Sequence, residues 1–141
     1  MAIDPDSTLL AVIPARGGSK SIPLKNLRDL AGTPLIGWTI RSLIEAKAPI
    51  HIVVSTDHPS IANYAQSFGI HVVERPAHLS SDTASTESAL LHALESADSK
   101  GKSRDILLLQ ATSPVRLSGT IDRAIDQYYT SKCDSLVGVV A

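Results

Sequence analysis

The chain has 141 residues, 43% of them hydrophobic and 19% charged, which suits one domain with a real core and is too short for two. A net charge of -1 excludes a general nucleic-acid or membrane-surface binder, which needs a basic excess over the whole domain, and 4% aromatic residues make base stacking a poor reading. The single Cys133 excludes an internal disulfide, and His51, His58, His71, His78 and His92 show no spacing for a metal site.

Residues 1–8 are polar and acidic, lack the basic and apolar regions of a secretory signal, and read as a flexible N-terminus ahead of one domain over 9–141. No apolar run approaches the roughly 20 residues needed to span a bilayer. With the lone cysteine, this gives the expectation of a cytoplasmic protein.

From there, short aliphatic runs alternate with amphipathic segments. Leu9 to Ile13, Ile50 to Val54, His71 to Val73, Ile106 to Leu109 and Leu136 to Val140 have the near-continuous apolar character of strands buried on both faces. Between them, Pro34 stands at a first helical position after Thr33, and Ile36, Ile40, Leu43 and Ile44 follow at helical spacing. Ile61, Tyr64, Ala65 and Phe68 repeat the pattern before Gly69, a C-terminal cap; Leu90, Leu91 and Leu94 mark a third helix, and Ile121, Ala124, Ile125 and Tyr128 a fourth. Trp38 and Tyr64 fall on helical faces and read as core or interface residues. The order βαβαβαβαβ predicts an α/β fold, a Rossmann-like open and mostly parallel sheet with helices on both faces. Ligands bind such sheets at the carboxyl ends of the strands, where Pro14 to Asn26, Arg75 to Thr86 and Gln110 to Arg116 would line one pocket.

The first of these segments carries the strongest chemical signal. Residues 14 to 28 hold Arg16, Lys20, Lys25 and Arg28, no acid, and the adjacent Gly17 and Gly18. Cations supply charge-assisted donors to phosphate oxygens, and glycines allow close backbone approach and conformations closed to other residues. The loop therefore reads as a nucleoside triphosphate site. It is not a Walker A loop, because Ser19 separates Gly18 from Lys20 and the upstream glycine is missing. Nor is it a GxGxxG fingerprint, because the next glycine is Gly32.

Residues Ala15-Arg16-Gly17-Gly18-Ser19-Lys20, Ile22-Pro23-Leu24-Lys25-Asn26 and Leu30-Ala31-Gly32-Thr33-Pro34-Leu35-Ile36-Gly37-Trp38 together resemble the opening of the acylneuraminate cytidylyltransferases, also called CMP-sialic acid synthetases. Val54-Ser55-Thr56-Asp57, Arg75-Pro76 with Ser80-Ser81-Asp82-Thr83-Ala84-Ser85, and Leu109-Gln110-Ala111-Thr112-Ser113-Pro114 are similar to further motifs of that family, in its order. The resemblance covers Leu9 to Ala141 and implies a fold of the nucleotide-diphospho-sugar transferase type. It implies an enzyme that couples CTP to a sialic acid, giving CMP-sialic acid and pyrophosphate with magnesium assisting and no covalent enzyme intermediate. Positioning and charge neutralisation would then carry the catalysis.

Residue by residue, the resemblance makes Arg16 a triphosphate contact, with Gly17, Gly18, Ser19 and Lys20 in the phosphate loop. Lys25 becomes the lysine at the α-phosphate, and Asn26 holds the ribose region. Arg75, Ala84 and Thr86 frame the cytosine and its sugar, while Gln110, Thr112 and Ser113 form the acceptor-sugar side. Other readings stand beside these. Lys25 and Arg28 can be solvated charges at a turn, Asp57 a cap of the following helix, Ser80 to Thr86 a polar loop with a helix cap, and Gln110 a strand-end residue needing hydrogen bonds if buried.

Relatives that activate the eight-carbon sugar Kdo carry an acid after the fourth-strand glutamine, where this chain has Ala111; this favours the acylneuraminate branch and removes one metal ligand. The family also continues for tens of residues beyond the equivalent of Ala141, with a dimerisation region, an arginine and an Asp-x-Asp metal pair. The magnesium ligands are thus expected outside this chain, and the chain alone is expected to bind CTP weakly and turn over slowly or not at all. The family's homodimer is an open question here, and the apolar C-terminal run would favour self-association or disorder. Alternative functions are a non-catalytic CTP-binding module, a structural fragment, or an enzyme for another nonulosonic acid such as legionaminic or pseudaminic acid.

Overall fold

The computed structural model describes residues 9–98, 101, 103 and 105–139; residues 1–8, read above as a flexible N-terminus, lie outside them. Six strands, β1 (Leu9–Pro14), β2 (Asp29–Leu30), β3 (Thr33–Pro34), β4 (Ile50–Thr56), β5 (His71–Glu74) and β6 (Ile106–Leu108), alternate with four α-helices. The helices are α1 (Leu35–Ile44), α2 (Pro59–Gln66), α3 (Thr86–Ala97) and α4 (Thr120–Ser131).

Four strands form one sheet in the order β5-β4-β1-β6, and every pairing in it is parallel. In β1, Val12 stands opposite Val53 of β4 and Leu108 of β6, so β1 is an interior strand of the sheet, as is β4. Its residues alternate between two cores, as the period of a strand requires. Leu9, Ala11 and Ile13 pack with Ile36, Ile40 and Leu43 of α1, Ile61 and Ala65 of α2, and Ile121 and Ile125 of α4. Leu10 and Val12 face the opposite way, to Val53, Val73 and Ala93, with Leu90, Leu94 and Ala97 of α3 closing that side. Helices therefore cover both faces of the sheet.

The helix boundaries follow local chemistry. Pro34 caps α1 from extended backbone rather than occupying its first turn, one residue from its expected place. Gly69, at φ +73, ends the α2 segment, with its N–H donating to the Gln66 carbonyl and that of Ile70 to Ala65. In α3 the buried positions are Ala89 and Ala93, and Leu91 is half exposed; the small residues let the helix approach the sheet closely. Asp122 at the start of α4 accepts from the N–H groups of Lys47 at 2.9 Å and Ala48 at 3.1 Å, fixing the turn that leads into β4.

Two features differ from expectation. The sequence Asp29 to Pro34 forms a small antiparallel hairpin, β2 with β3, through Ala31 and Gly32 at φ 52° and 84°, the turn geometry that a two-residue hairpin demands. The run at Leu136 to Val140 forms no strand: residues 136–139 are coil, Val137 and Val139 are 76% and 87% exposed, and Val140 lies outside the described residues. An aliphatic run becomes a strand only where a neighbouring edge accepts its hydrogen bonds and a surface covers its side chains, and residues 136–139 have neither.

The division between core and surface can be checked by paired truncations. Ile13→Ala, at a fully buried site in β1, is expected to cost about 2–5 kcal/mol of stability. Val115→Ala, at an 88% exposed site, should remain within about 0.5 kcal/mol in the same urea titration.

Candidate functional site

The loop after β1 leaves the sheet at the carboxyl ends of the strands. Its root is fixed because the Ala15 N–H donates to the Ser55 carbonyl at 2.9 Å, carrying the parallel ladder one step past β1. The Gly17 N–H then donates to Asp57 Oδ1 at 2.8 Å, and Asn26 Nδ2 returns to the Arg16 carbonyl at 3.1 Å. Leu24 adopts a left-handed conformation, φ 48° and ψ 44°, which starts a single 3-10 turn at Lys25–Leu27 and sets Asn26 into a buried position. A non-glycine residue there costs of order 1 kcal/mol, so the surrounding contacts must hold the turn in place.

The two glycines have different reasons from those expected. Neither has positive φ, the condition for conformations closed to other residues. A Cβ on Gly17 would lie 2.7 Å from Cβ and Cδ2 of His58, whereas one on Gly18 would meet nothing within 4 Å. Gly17 is therefore small because it packs on His58. Gly18 faces open space in the cleft. His58, not Asp57, caps α2, accepting from Ser60 N–H through Nδ1 at 3.2 Å; Asp57 is left to hold the loop.

The second wall begins where β5 ends. Arg75 is 7% exposed, and its Nε and Nη2 donate to Ser55 Oγ at 3.1 Å and the Ser55 carbonyl at 2.9 Å. Burial pushes its pKa down, Asp57 opposes that shift and Arg16 adds to it; an arginine so placed is still a cation at neutral pH. Ser85 caps α3 by accepting from the Ser88 N–H at 3.1 Å, so the reading of this segment as a loop with a cap holds for Ser85.

The third wall follows β6. Gln110 is exposed, so burial places no demand on its side chain. Its carbonyl accepts from Arg116 Nη2 at 3.2 Å, while Arg116 Nη1 donates to Oγ1 of the fully buried Thr39 at 2.9 Å. Arg116 thereby ties this loop to α1.

The three walls enclose a cleft of about 290 Å³. Arg16, Gly18, Ser19, Lys25 and Asn26 line it from the first loop, Arg75, Ala84 and Thr86 from the second, and Gln110 and Thr112 from the third. Three of the anticipated residues stand outside the lining. Gly17 is turned to His58 and Asp57, Ser113 is exposed with its N–H on the Gln110 carbonyl, and Lys20, whose side chain is 78% exposed, reaches Asp82. Asp82 is the acid of the cleft lining, and it accepts from Arg16 Nη1 at 2.8 Å with Lys20 Nζ at 3.3 Å. The Arg16 hydrogen bond, joined by Lys20, holds its carboxyl below the ordinary carboxylate range. Sequence reasoning quoted Asp82 within a motif without giving it a role and left Asp57 between two readings. It gave Arg116 none. Each depends on contacts 40 to 77 residues away in the chain, for which no local spacing is a signal. Among the described residues no group of three or more His, Cys, Asp or Glu is placed to hold a metal ion.

The packing of Gly17 on His58 gives a sharp contrast between neighbours. Gly17→Ala is expected to destabilise by about 1–3 kcal/mol through overpacking, and Gly18→Ala by no more than about 0.5 kcal/mol. In a thermal-denaturation double-mutant cycle, adding His58→Gly, which removes the Cβ as well as the ring, should recover part of the Gly17→Ala loss; strict additivity would rule the contact out as the cause.

A family model described as cytidylyltransferase matches residues 10–141. N-acylneuraminate cytidylyltransferase A of Danio rerio is 37% identical over 131 residues, covering 92% of this chain and 30% of that protein. CMP-N,N'-diacetyllegionaminic acid synthase of Legionella pneumophila is 42% identical over 123 residues, covering 84% of this chain and 52% of that protein. The chain thus spans 30% and 52% of the length of these two curated relatives. Among solved structures, CMP:2-keto-3-deoxy-manno-octonic acid synthetase complexed with CTP shares the fold, with a TM-score of 0.72 at 23% identity over 89% of this chain and 49% of that one. A Rossmann-like parallel sheet, a polar cleft at its carboxyl edge and a family match over nearly all of its length agree: the chain belongs to the cytidylyltransferase family.

Proposed function

We propose that this chain is the nucleotide-binding part of a cytoplasmic cytidylyltransferase, its domain over 9–141, that joins CTP to a sialic acid and releases pyrophosphate. One observation carries the reading: Arg16 and Lys25 of the first loop bring two cationic side chains to one cleft at the carboxyl ends of parallel strands, with the buried cation of Arg75 on the second wall. A triphosphate is the ligand whose charge density matches that set.

In the reaction, the anomeric hydroxyl oxygen of the sugar bonds to the α-phosphorus as the bond from that phosphorus to the β-phosphate's bridging oxygen breaks. Pyrophosphate leaves, and the hydroxyl proton passes to solvent. Negative charge accumulates on the phosphate oxygens during this exchange, so cations fixed beforehand lower the barrier. Among the described residues, Arg16 and Lys20 are in ion pairs and Lys25 is in none, which suits Lys25 to the α-phosphate, where charge changes most. Asn26, buried and bonded to the Arg16 carbonyl, is set to hold the ribose, and Arg75 with Ala84 and Thr86 frames the base. Gln110 and Thr112 offer the polar side of the cleft to the acceptor, with Ser113 behind them.

The magnesium ion implied by the resemblance finds no donor set among the described residues, since the acid in the cleft lining is already engaged by Arg16 and Lys20. In this reading the ion's protein ligands lie elsewhere. Acceptor identity has one close competitor, because the Legionella pneumophila relative acts, by its name, in making a CMP-legionaminic acid.

Calorimetric titration should give CTP binding in preference to UTP and ATP, and Lys25→Ala should weaken it roughly tenfold or more, as loss of a charged hydrogen bond does. Equal binding of the three nucleotides would defeat the proposal. In a pyrophosphate-release assay across a panel of nonulosonic acids, activity with legionaminic acid and none with N-acetylneuraminate would move the acceptor to the competitor.

A further inference from the structure

Asp82 sits where a phosphate group would be expected. Its Oδ1 accepts from Arg16 Nη1 at 2.8 Å and its Oδ2 lies 3.3 Å from Lys20 Nζ, so one carboxylate spans two cations of the first loop. Both cations come from the first loop, Arg16 from the cleft lining and Lys20 from outside it, and the carboxylate comes from the second wall. Asp82 stands on the exposed turn between Ser80 and Ser85, whose local hydrogen bonds, Ser81 Oγ with Thr83 Oγ1 and the Ala84 N–H to the Ser81 carbonyl, do not involve the carboxylate.

We propose that Asp82 is a displaceable internal counter-anion. It occupies the cations of Arg16 and Lys20 in the ligand-free protein and competes with polyphosphate ligands for them. The pairs suit displacement rather than permanence. The side chains of Arg16, Asp82 and Lys20 are 36%, 44% and 78% exposed, and ion pairs that open to water are weak and screened by salt. Arg75 provides the contrast. It is buried and bonded twice to Ser55, and a ligand meets it already in place. A carboxylate that must be moved imposes the same cost on every anion reaching Arg16 and Lys20, so it acts against weakly charged anions whose own attraction to the site is small. Ligands of several charges overcome it. On displacement the turn 80–85 loses these ion pairs to the first loop, while the tie of Ala15 and Arg75 through Ser55 stays in place.

The inference concerns the polyphosphate end of the proposed nucleotide site and rests on that reading for CTP, although the competition itself requires only an anion. The test measures binding of inorganic tripolyphosphate, orthophosphate, CTP and UTP to the whole chain at low salt. Three proteins are compared: wild type, Asp82→Asn and Asp126→Asn, the last an equal charge change on the exposed side of α4. Asp82→Asn should bind tripolyphosphate roughly three- to tenfold more tightly than wild type, with a smaller gain for orthophosphate, while Asp126→Asn should match wild type. Raising the salt should shrink the difference. Unchanged or weaker tripolyphosphate binding in Asp82→Asn, or no binding by any of the three proteins, would overturn the inference. A gain for tripolyphosphate with equal affinities for CTP and UTP would uphold it and instead remove the cytidylyl reading.

Discussion

The structure depends on the burial of β1 between two parallel neighbours. A strand paired on both edges and packed on both faces has no freedom to shift: Leu10, Ala11, Val12 and Ile13 are wholly inaccessible, and a slip by one residue would exchange the contents of the two cores. The place where the chain emerges after Pro14 is therefore determined by hydrophobic packing far from any ligand. The Ala15 to Ser55 hydrogen bond extends that order to the first residue of the loop. Burial of apolar side chains at roughly 25 cal/mol per Å² gives the sheet its stability. The loop inherits a fixed root from it, and the cleft's cations are aimed from that root.

What the loop adds is a division between cations that are held and cations that are not. Arg75 is buried, and its two bonds to Ser55 keep its geometry independent of ligand. Arg16 has a fixed backbone, through Asn26 on its carbonyl, and a side chain engaged only by Asp82. Preorganised charge lowers a barrier most when no rearrangement is needed at the moment of reaction. Movable charge instead suits the entry and departure of ligands. A cleft with both kinds can hold one part of a ligand firmly and let another part exchange.

Much of this was legible in the residues. The strands at 9–14, 50–56, 71–74 and 106–108 declare themselves because parallel strands buried on both faces need unbroken aliphatic runs, and the helices because each exposes one side. The same logic misjudged Leu136 to Val140, since composition records a capacity for pairing and not the presence of a partner edge. It passed over the hairpin at 29–34, whose strands have two residues each and no periodicity to read. In the cleft, Arg16 and Lys25 stood out as cations clustered near glycines in an acid-free loop, and Asn26 through the family resemblance alone. Asp57, Asp82 and Arg116 reach across the fold, to Gly17, Arg16 and Thr39, and a one-dimensional pattern contains no trace of those meetings.

The two ends of the cleft are not equally built. Around the first loop, the backbone of 15–17, the buried Asn26 and the buried Arg75 are held together through Ser55 and Asp57. At the end lined by Gln110 and Thr112, both side chains are exposed, and the loop is tied by Arg116 to α1 across a single hydroxyl. On the proposed function, phosphate chemistry shared among relatives calls for one geometry, and the first loop is the part of the cleft that packing fixes. An acceptor that differs between relatives, as the names of the Danio rerio and Legionella pneumophila proteins differ, is better served by a surface whose side chains can change without disturbing the core. Arg116 matters to that arrangement because burial depresses its pKa yet leaves it charged, so its hold on the Gln110 carbonyl persists while the side chains around it vary.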